Sequence, residues 1–195
     1  MRIISREALA QLPVRRYEGP VSLVTTLREL SDARADFRGE RVVGLDTETR
    51  PSFRKGEVHL PCLVQAATAR AVYLFQLSRL DVFPALAELL ASPSVVKAGV
   101  GMEYDLAQLK KVFPLTVENM LDLGVVARRR GLGQSGVRNL AGMLLGFRIP
   151  KGNRTSNWAA PRLSPAQITY AATDAWACRE LYLRFESEGL LAGDK

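Results

Sequence analysis

The sequence predicts an α/β fold in which a mixed β-sheet is flanked by helices within a single domain. Three strand-like segments follow one another in the first half of the chain, and strand-like and helical segments alternate after them. The 195 residues are enough to bury a core of ordinary size, and 47% hydrophobic with 24% charged residues is typical of a globular domain. No composition shift marks a second domain, so we expect one compact unit.

The first half of the chain supplies a basic lead-in, one helix and three strands. Residues 1–20 form the lead-in, in which Pro13 and Gly19-Pro20 interrupt any long element, and the domain proper is expected over residues 21–190. Leucine and alanine residues at helical spacing predict a helix over 22–37. Short apolar runs predict three strands that form a meander, at residues 41–48, 60–67 and 71–75.

The second half alternates between the two types of element before a long final helix. The spacing of apolar residues and the positions of helix-starting and helix-ending residues predict the following elements. In order they are a helix at 82–91, a strand at 95–99, a helix at 102–113, a strand at 117–123, and helices at 121–130 and 137–145. Residues 146–162 are expected to form a polar loop. Ser164 and Pro165 have the residue types that favour a helix N-cap and first position, which predicts a helix to about residue 188.

Charge and cysteine content indicate the kind of partner and compartment. The net charge is +7, mostly from arginine, whose guanidinium group suits phosphate oxygens, although many basic proteins bind no nucleic acid. Cys62 and Cys178 do not suggest a disulfide framework, and Glu7 interrupts the stretch that a signal peptide would need. No apolar run reaches the roughly 20 residues of a membrane span. We therefore expect a cytoplasmic protein without membrane association.

Two carboxylates lie at the end of the first predicted buried strand. Asp46 and Glu48 are two residues apart, so strand alternation places them on the same face. Neighbouring carboxylates repel each other and are costly to desolvate, and a divalent cation would remove both penalties. The alternative interpretation is a strand that ends in a solvated acidic turn.

Other acids are predicted to face the same layer. Tyr170 and Asp174 are four residues apart on the apolar face of the last helix, and Asp105 lies near a helix start. Each has a structural alternative, because a buried aspartate can pair with an arginine and an acid is favoured in a first helical turn. Together, however, four carboxylates between sheet and helices predict a site for hard cations, and no Cys or His cluster is available to select zinc.

Three stretches of the sequence resemble the three motifs of the DEDD exonuclease superfamily. Residues 44–53 read GLDTETRPSF, residues 97–109 read KAGVGMEYDLAQL, and residues 168–175 read ITYAATDA. The Tyr-x-x-x-Asp form of the last motif is similar to the DEDDy branch, beside ribonuclease D and the Werner-type exonucleases. The resemblance extends from about residue 3 to residue 190, with the motifs in family order.

The resemblance implies an RNase H-like fold and a metal-dependent 3′–5′ exonuclease that releases nucleoside 5′-monophosphates. It implies two divalent cations, Mg²⁺ or Mn²⁺, and a nucleic-acid substrate with a free 3′ end, either RNA or single-stranded DNA. By the resemblance, Asp46, Glu48 and Asp174 would hold one ion, and Asp46, helped through water by Asp105, would hold the second. Tyr170, with Glu48, would orient the attacking water.

Strand contacts are expected from the loop before the last helix. Lys151, Arg154 and Trp158 could bind a nucleic-acid strand by charge and stacking, and the alternative is a solvated loop anchored by the tryptophan.

Two alternative functions remain possible for the chain as a whole. A catalytically silent binding module would be expected to lack ligand acids, and an RNase H-type endonuclease would have no use for Tyr170.

Overall fold

The computed structural model describes residues 2–54, 56–78, 82–152 and 155–193, and its centre is one six-stranded mixed sheet. The strands are β1 (Val21–Leu23), β2 (Val42–Thr49), β3 (Pro61–Ala67), β4 (Val72–Gln76), β5 (Val96–Gly99) and β6 (Met120–Asp122). Their order across the sheet is β1-β4-β3-β2-β5-β6. Strands β2, β3 and β4 form the predicted antiparallel meander, whereas β1, β5 and β6 each pair in parallel. The predicted mixed sheet is confirmed.

Among the described residues, seven α-helices surround the sheet. They are α1 (Arg6–Gln11), α2 (Leu27–Arg38), α3 (Phe83–Ala91), α4 (Met102–Leu109), α5 (Leu123–Arg129), α6 (Val137–Leu140) and α7 (Pro165–Ser187). Helix α6 continues directly into a π-helical turn over Ala141–Leu145. Ser164 and Gln167 form a reciprocal capping box that starts α7 at the predicted residue. Among the described helices, none has both the length and the apolar character needed to cross a bilayer.

The N-terminal region differs from the prediction in two places. Residues 21–23 form β1 rather than the start of a helix, and the Thr26–Glu29 capping box begins α2 only at Leu27. The lead-in contains α1, whose N-cap Ser5 accepts a hydrogen bond from the Ala8 backbone. Elements of three and six residues are too short to show a hydrophobic period, so pairing with neighbours decides them.

Helices cover both faces of the sheet. One face packs against α2, α3 and α4 through a cluster that includes Val43, Leu45 and Phe75. The other face packs against α7 through Leu63, Leu74 and further buried residues. The alternation of β2 therefore sends Leu45 toward the first layer, while the residues on either side of it face α7.

Gly44 allows α7 to approach β2 closely. A Cβ atom at this position would lie 2.1 Å from the Ala175 carbonyl oxygen and 2.7 Å from the Arg179 backbone nitrogen. Both are backbone atoms of α7, so a side chain cannot be accommodated without moving the helix. This contact sets the position of α7 beside the end of β2, where the acidic residues lie.

Candidate active site

Three acidic side chains converge where β2 meets the first half of α7. Asp46 and Glu48 lie on the β2 face that Gly44 presents to α7, and Asp174 lies on α7 opposite them. One carboxylate oxygen from each residue is within 4.8 Å of the others. Glu48 and Asp174 are buried and Asp46 is partly exposed. Distant parts of the chain thus form one compact acidic cluster.

The cluster is electrostatically unfavourable when fully ionised. Burial raises the pKa of Asp46 well above its usual range, and the charges of Asp174 and Asp105 raise it further. Burial also raises the pKa of Asp174 to about 6, although a hydrogen bond from Tyr170 and the charge of Arg138 favour its ionised form. Asp174 Oδ1 is buried and has no hydrogen-bond partner in the described part of the chain. A cation would satisfy this oxygen and remove the repulsion.

Tyr170 lies one helical turn before Asp174 and adjoins the cluster. Burial raises the pKa of its phenol, and the nearby carboxylates of Asp174 and Glu48 raise it further, so the hydroxyl stays protonated at neutral pH. Its ring packs against Trp158 with 5.9 Å between the ring centroids. Tyr170 therefore offers a neutral hydroxyl beside the acids, held in place by an aromatic neighbour.

Asp105 lies on the first turn of α4, outside the group of three carboxylates. Its side chain is half-buried, and burial raises its pKa. Its charge nevertheless acts on Asp46, whose pKa it helps to raise. The structure therefore brings three of the four predicted acids into one cluster and places the fourth within electrostatic range of Asp46.

Asp122 positions the segment that carries Asp105, and the sequence reasoning missed it. Its Oδ2 accepts hydrogen bonds from the Gly101 and Met102 backbone nitrogens at 2.9 and 3.1 Å. Its Oδ1 accepts from Gly124 and Val125 at 2.8 and 3.1 Å and caps α5. One carboxylate therefore joins the starts of α4 and α5. An aspartate directly before a helix is the signal that could have identified the cap.

Arg138 and Asn139 of α6 form the wall of the cleft facing the acids, and the sequence did not single them out either. The cleft has a volume of about 390 Å³. It is lined by Asp46, Thr47, Glu48, Val100, Gly136, Val137, Arg138, Asn139, Tyr170 and Asp174. Arg138 Nη2 donates to the Pro150 carbonyl oxygen at 3.0 Å, which fixes the guanidinium beside the acids. A single arginine on a short helix carries no distinguishing sequence signal.

A second cavity adjoins the cleft, and Tyr170 lines both. It has a volume of about 330 Å³ and is bordered by the exposed Lys151 and by Arg16 of the N-terminal segment. Lys151 is thus placed near the cluster, as a strand contact would require. Arg154 lies outside the described residues.

The prediction that Trp158 stacks on a strand is wrong for this structure. Its side chain is 0% exposed and belongs to the apolar cluster beneath α7. The surrounding loop is polar, but the indole is large enough to fill the space between β3, β4 and α7, so burial is favoured over exposure. Its contact with Tyr170 makes it a support for the site rather than a surface contact.

A family model described as 3′–5′ exonuclease matches residues 21–189. Ribonuclease D of Gluconacetobacter diazotrophicus is 35% identical over 178 residues, which cover 87% of this chain and 44% of that protein. The mouse bifunctional 3′–5′ exonuclease/ATP-dependent helicase WRN is 34% identical over 155 residues, covering 76% of this chain and 11% of that protein. The chain spans less than half the length of the ribonuclease D proteins it matches.

Solved structures show the same fold. The Nibbler EXO domain of Aedes aegypti has a TM-score of 0.79 at 22% identity, covering 93% of this chain and 94% of that one. Escherichia coli RNase D has a TM-score of 0.75 at 22% identity, covering 88% of this chain and 46% of that one. The predicted RNase H-like fold is confirmed by these similarities.

Proposed function

Because the chain belongs to the 3′–5′ exonuclease family, we propose that it removes nucleotides one at a time from the 3′ end of a nucleic-acid strand. The observation that carries the proposal is the convergence of Asp46, Glu48 and Asp174 within 4.8 Å, with the Tyr170 hydroxyl beside them. The reaction is hydrolysis of the terminal phosphodiester, and the products are nucleoside 5′-monophosphates.

The acidic cluster fits divalent cations. The donor atoms are carboxylate oxygens, which hard cations such as Mg²⁺ and Mn²⁺ prefer. Asp174 Oδ1 has no protein partner among the described residues, and the raised pKa values of Asp46 and Asp174 reflect the cost of charge without a counter-ion. Asp46, Glu48 and Asp174 would hold one ion, and Asp46 with Asp105 the other. When bound, two such ions stabilise the attacking and leaving oxygens of an in-line displacement.

The remaining side chains orient the reactants. Tyr170 is a neutral hydrogen-bonding group, since the raised pKa of its phenol prevents it from acting as a base at neutral pH. With Glu48 it would hold the attacking water in line with the terminal phosphate. Arg138 faces the same cleft, where its guanidinium would neutralise a phosphate oxygen.

The strand enters through the cavity beyond Tyr170. Lys151 and Arg16 border this cavity and would contact backbone phosphates without reading the bases. A structure of Trypanosoma brucei RNase D in complex with RNA U12 has the same fold, with a TM-score of 0.74. That complex supports a nucleic-acid substrate, which we propose is a single strand with a free 3′ end. RNA is the first choice because the curated relatives include ribonuclease D proteins.

Matched 5′-labelled RNA and DNA oligonucleotides with Mg²⁺ or Mn²⁺ test the proposal. We expect a ladder shortened by single nucleotides from the 3′ end, and no ladder with Asp174→Asn. Internal cuts would instead indicate an RNase H-type endonuclease, and binding without cleavage would indicate a silent module. Either of the latter two results contradicts the proposed activity.

A further inference from the structure

Gln65 is a polar side chain enclosed at the centre of the sheet. It lies in the middle of β3 and is 0% exposed, as are Leu63 and Ala67 on the same face of the strand. Neither Oε1 nor Nε2 has a hydrogen-bond partner within residues 2–54, 56–78, 82–152 and 155–193. Enclosing an amide without hydrogen bonds is unfavourable, and an apolar residue of the same size would fold more stably here. Stability therefore does not explain the amide.

The register of the sheet places Gln65 directly beside a catalytic carboxylate. Gln65 pairs with Asp46 on β2 and with Leu74 on β4. Directly paired residues project to the same face, with Cβ atoms about 4.5–5.5 Å apart, which is within reach of a glutamine side chain. Since Leu74 is apolar, Asp46 is the polar one of the two cross-strand neighbours. The face that they share is the one covered by α7.

Trp158 supplies a second buried polar group in this layer. Its indole Nε1 also has no hydrogen-bond partner in the portion of the chain described by the structure. Its ring belongs to the cluster that contains Leu63 and Leu74. Leu63 lies two residues before Gln65 on the same face of β3, and Leu74 is the residue of β4 that pairs with Gln65. An indole N–H can only donate, so it matches the Gln65 carbonyl oxygen and leaves the amide N–H groups for an acceptor. Asp46 is the carboxylate that pairs with Gln65 across the strands, although the structure forms neither of these two hydrogen bonds.

We propose that Gln65 is a positioning residue for the proposed cation site. With a cation bound, a side-chain rotation would bring the Gln65 Nε2–H to an Asp46 oxygen and Gln65 Oε1 to the Trp158 Nε1–H, two hydrogen bonds that the structure does not contain. The inference rests on the proposed function, because the hydrogen bond is of use only when Asp46 is ionised and bound to a cation. Groups that orient ligating carboxylates typically account for about 10- to 100-fold in metal affinity.

Gln65→Met tests the proposal, because methionine keeps the shape of the side chain and removes the donor. Leu74→Met is the matched control on the other side of Gln65, in the same buried layer. Mn²⁺ binding is measured calorimetrically on the protein without nucleic acid. We expect Gln65→Met to bind Mn²⁺ about 10-fold more weakly, with Leu74→Met unchanged. The thermal midpoint of metal-free Gln65→Met should equal or exceed that of the wild type, which a merely structural role would not produce.

The outcomes separate the two proposals. If the wild type binds no Mn²⁺, the proposed metal-dependent function fails; if the wild type and Gln65→Met bind it equally, only the role of Gln65 fails. Should Gln65→Met not fold, NMR of the wild type answers the question. The side-chain amide signals of Gln65 should shift and exchange more slowly when Mg²⁺ is added, and unchanged signals would overturn the inference.

Discussion

The environment of Asp174 should change strongly if a cation binds. It is buried, its Oδ1 accepts no hydrogen bond from any described residue, and its pKa is raised to about 6. In the metal-free protein its negative charge therefore destabilises the folded state. The same charge is what attracts a cation, so stability without metal and affinity for metal oppose each other at this position.

Asp174→Asn should separate these two effects. Removing the charge relieves the repulsion with Asp46, so we expect a higher thermal midpoint in EDTA than the wild type shows. Added Mn²⁺ should raise the midpoint of the wild type and leave the variant unchanged. Differential scanning calorimetry with and without Mn²⁺ measures both effects, and a variant that is still stabilised by Mn²⁺ would argue against Asp174 as a ligand.

The contribution of Asp174 to metal-free stability should have a pH dependence of unusual sign for a carboxyl group. The pKa of Asp174 is about 6 in the folded state and 3.8 in its ordinary state, so between these values the folded protein holds a proton that the unfolded chain has lost. The contribution of Asp174 to stability is therefore fully present below about pH 4 and is lost as pH rises through about 6, by roughly 3 kcal/mol at most. Urea unfolding of wild type and Asp174→Asn across this range should show a difference that widens with pH; parallel curves would contradict the assignment.

Tyr170→Phe should affect turnover without affecting the cation. The phenol is neutral, and the Asp174 carboxylate stays in place when the hydroxyl is removed, so Mn²⁺ affinity should change little. If Tyr170 orients the attacking water as proposed, its loss should slow single-turnover cleavage by roughly 10²-fold. If Tyr170→Phe cleaved at the wild-type rate, Tyr170 would have no role in the reaction.

At the scale of elements, the contact between β2 and α7 builds the site. Both elements were predicted correctly because each has a strong local signal. The strand is an apolar run that ends in acidic residues, and the helix begins with Ser-Pro. The presence of α1 and β1 was missed, and Trp158 follows the alternative of an anchoring residue rather than that of a strand contact. A short element or a single aromatic residue in a polar loop is decided by tertiary packing, which the local sequence does not contain.

Gly44→Ala should disrupt this contact. The new Cβ would collide with backbone atoms of α7 at 2.1 and 2.7 Å, so the helix must move away from β2. We expect a loss of about 1–3 kcal/mol in urea unfolding, together with weaker Mn²⁺ binding because Asp174 moves with the helix. Gly39→Ala is the matched control, since its Cβ would meet its nearest atom, the Asp36 carbonyl oxygen, at 3.5 Å. Equal effects of the two substitutions would show that the close approach is not required.

For the molecule as a whole, the fold brings a basic chain and an acidic cleft together. The net charge of +7 would attract the proposed nucleic-acid strand, while the three clustered carboxylates would repel its phosphates unless a cation lies between them. The sequence motifs predicted which acids belong together through a family resemblance. By contrast, the close grouping of three carboxylates and the more distant position of Asp105 depend on how α4 and α7 pack against the sheet. That packing cannot be deduced from the spacing of residues in the sequence.

Strand binding should depend on the face that carries the cleft. We expect Lys151→Ala to weaken binding of a single-stranded oligonucleotide in EDTA and to reduce the salt dependence by about one phosphate contact. Arg28→Ala, an exposed basic residue on α2 on the other side of the sheet, is the matched control and should bind like the wild type. Fluorescence anisotropy at several salt concentrations measures both, and equal losses would indicate that only net charge matters.

The central claim is that Asp46, Glu48 and Asp174 form a site for hard cations. Anomalous diffraction at the manganese edge, from crystals grown with Mn²⁺, tests it most directly. We expect a strong anomalous peak between these three carboxylates, and its loss in Asp174→Asn crystals. Carboxylates that remain clustered in saturating Mn²⁺ with no anomalous peak between them would contradict the claim.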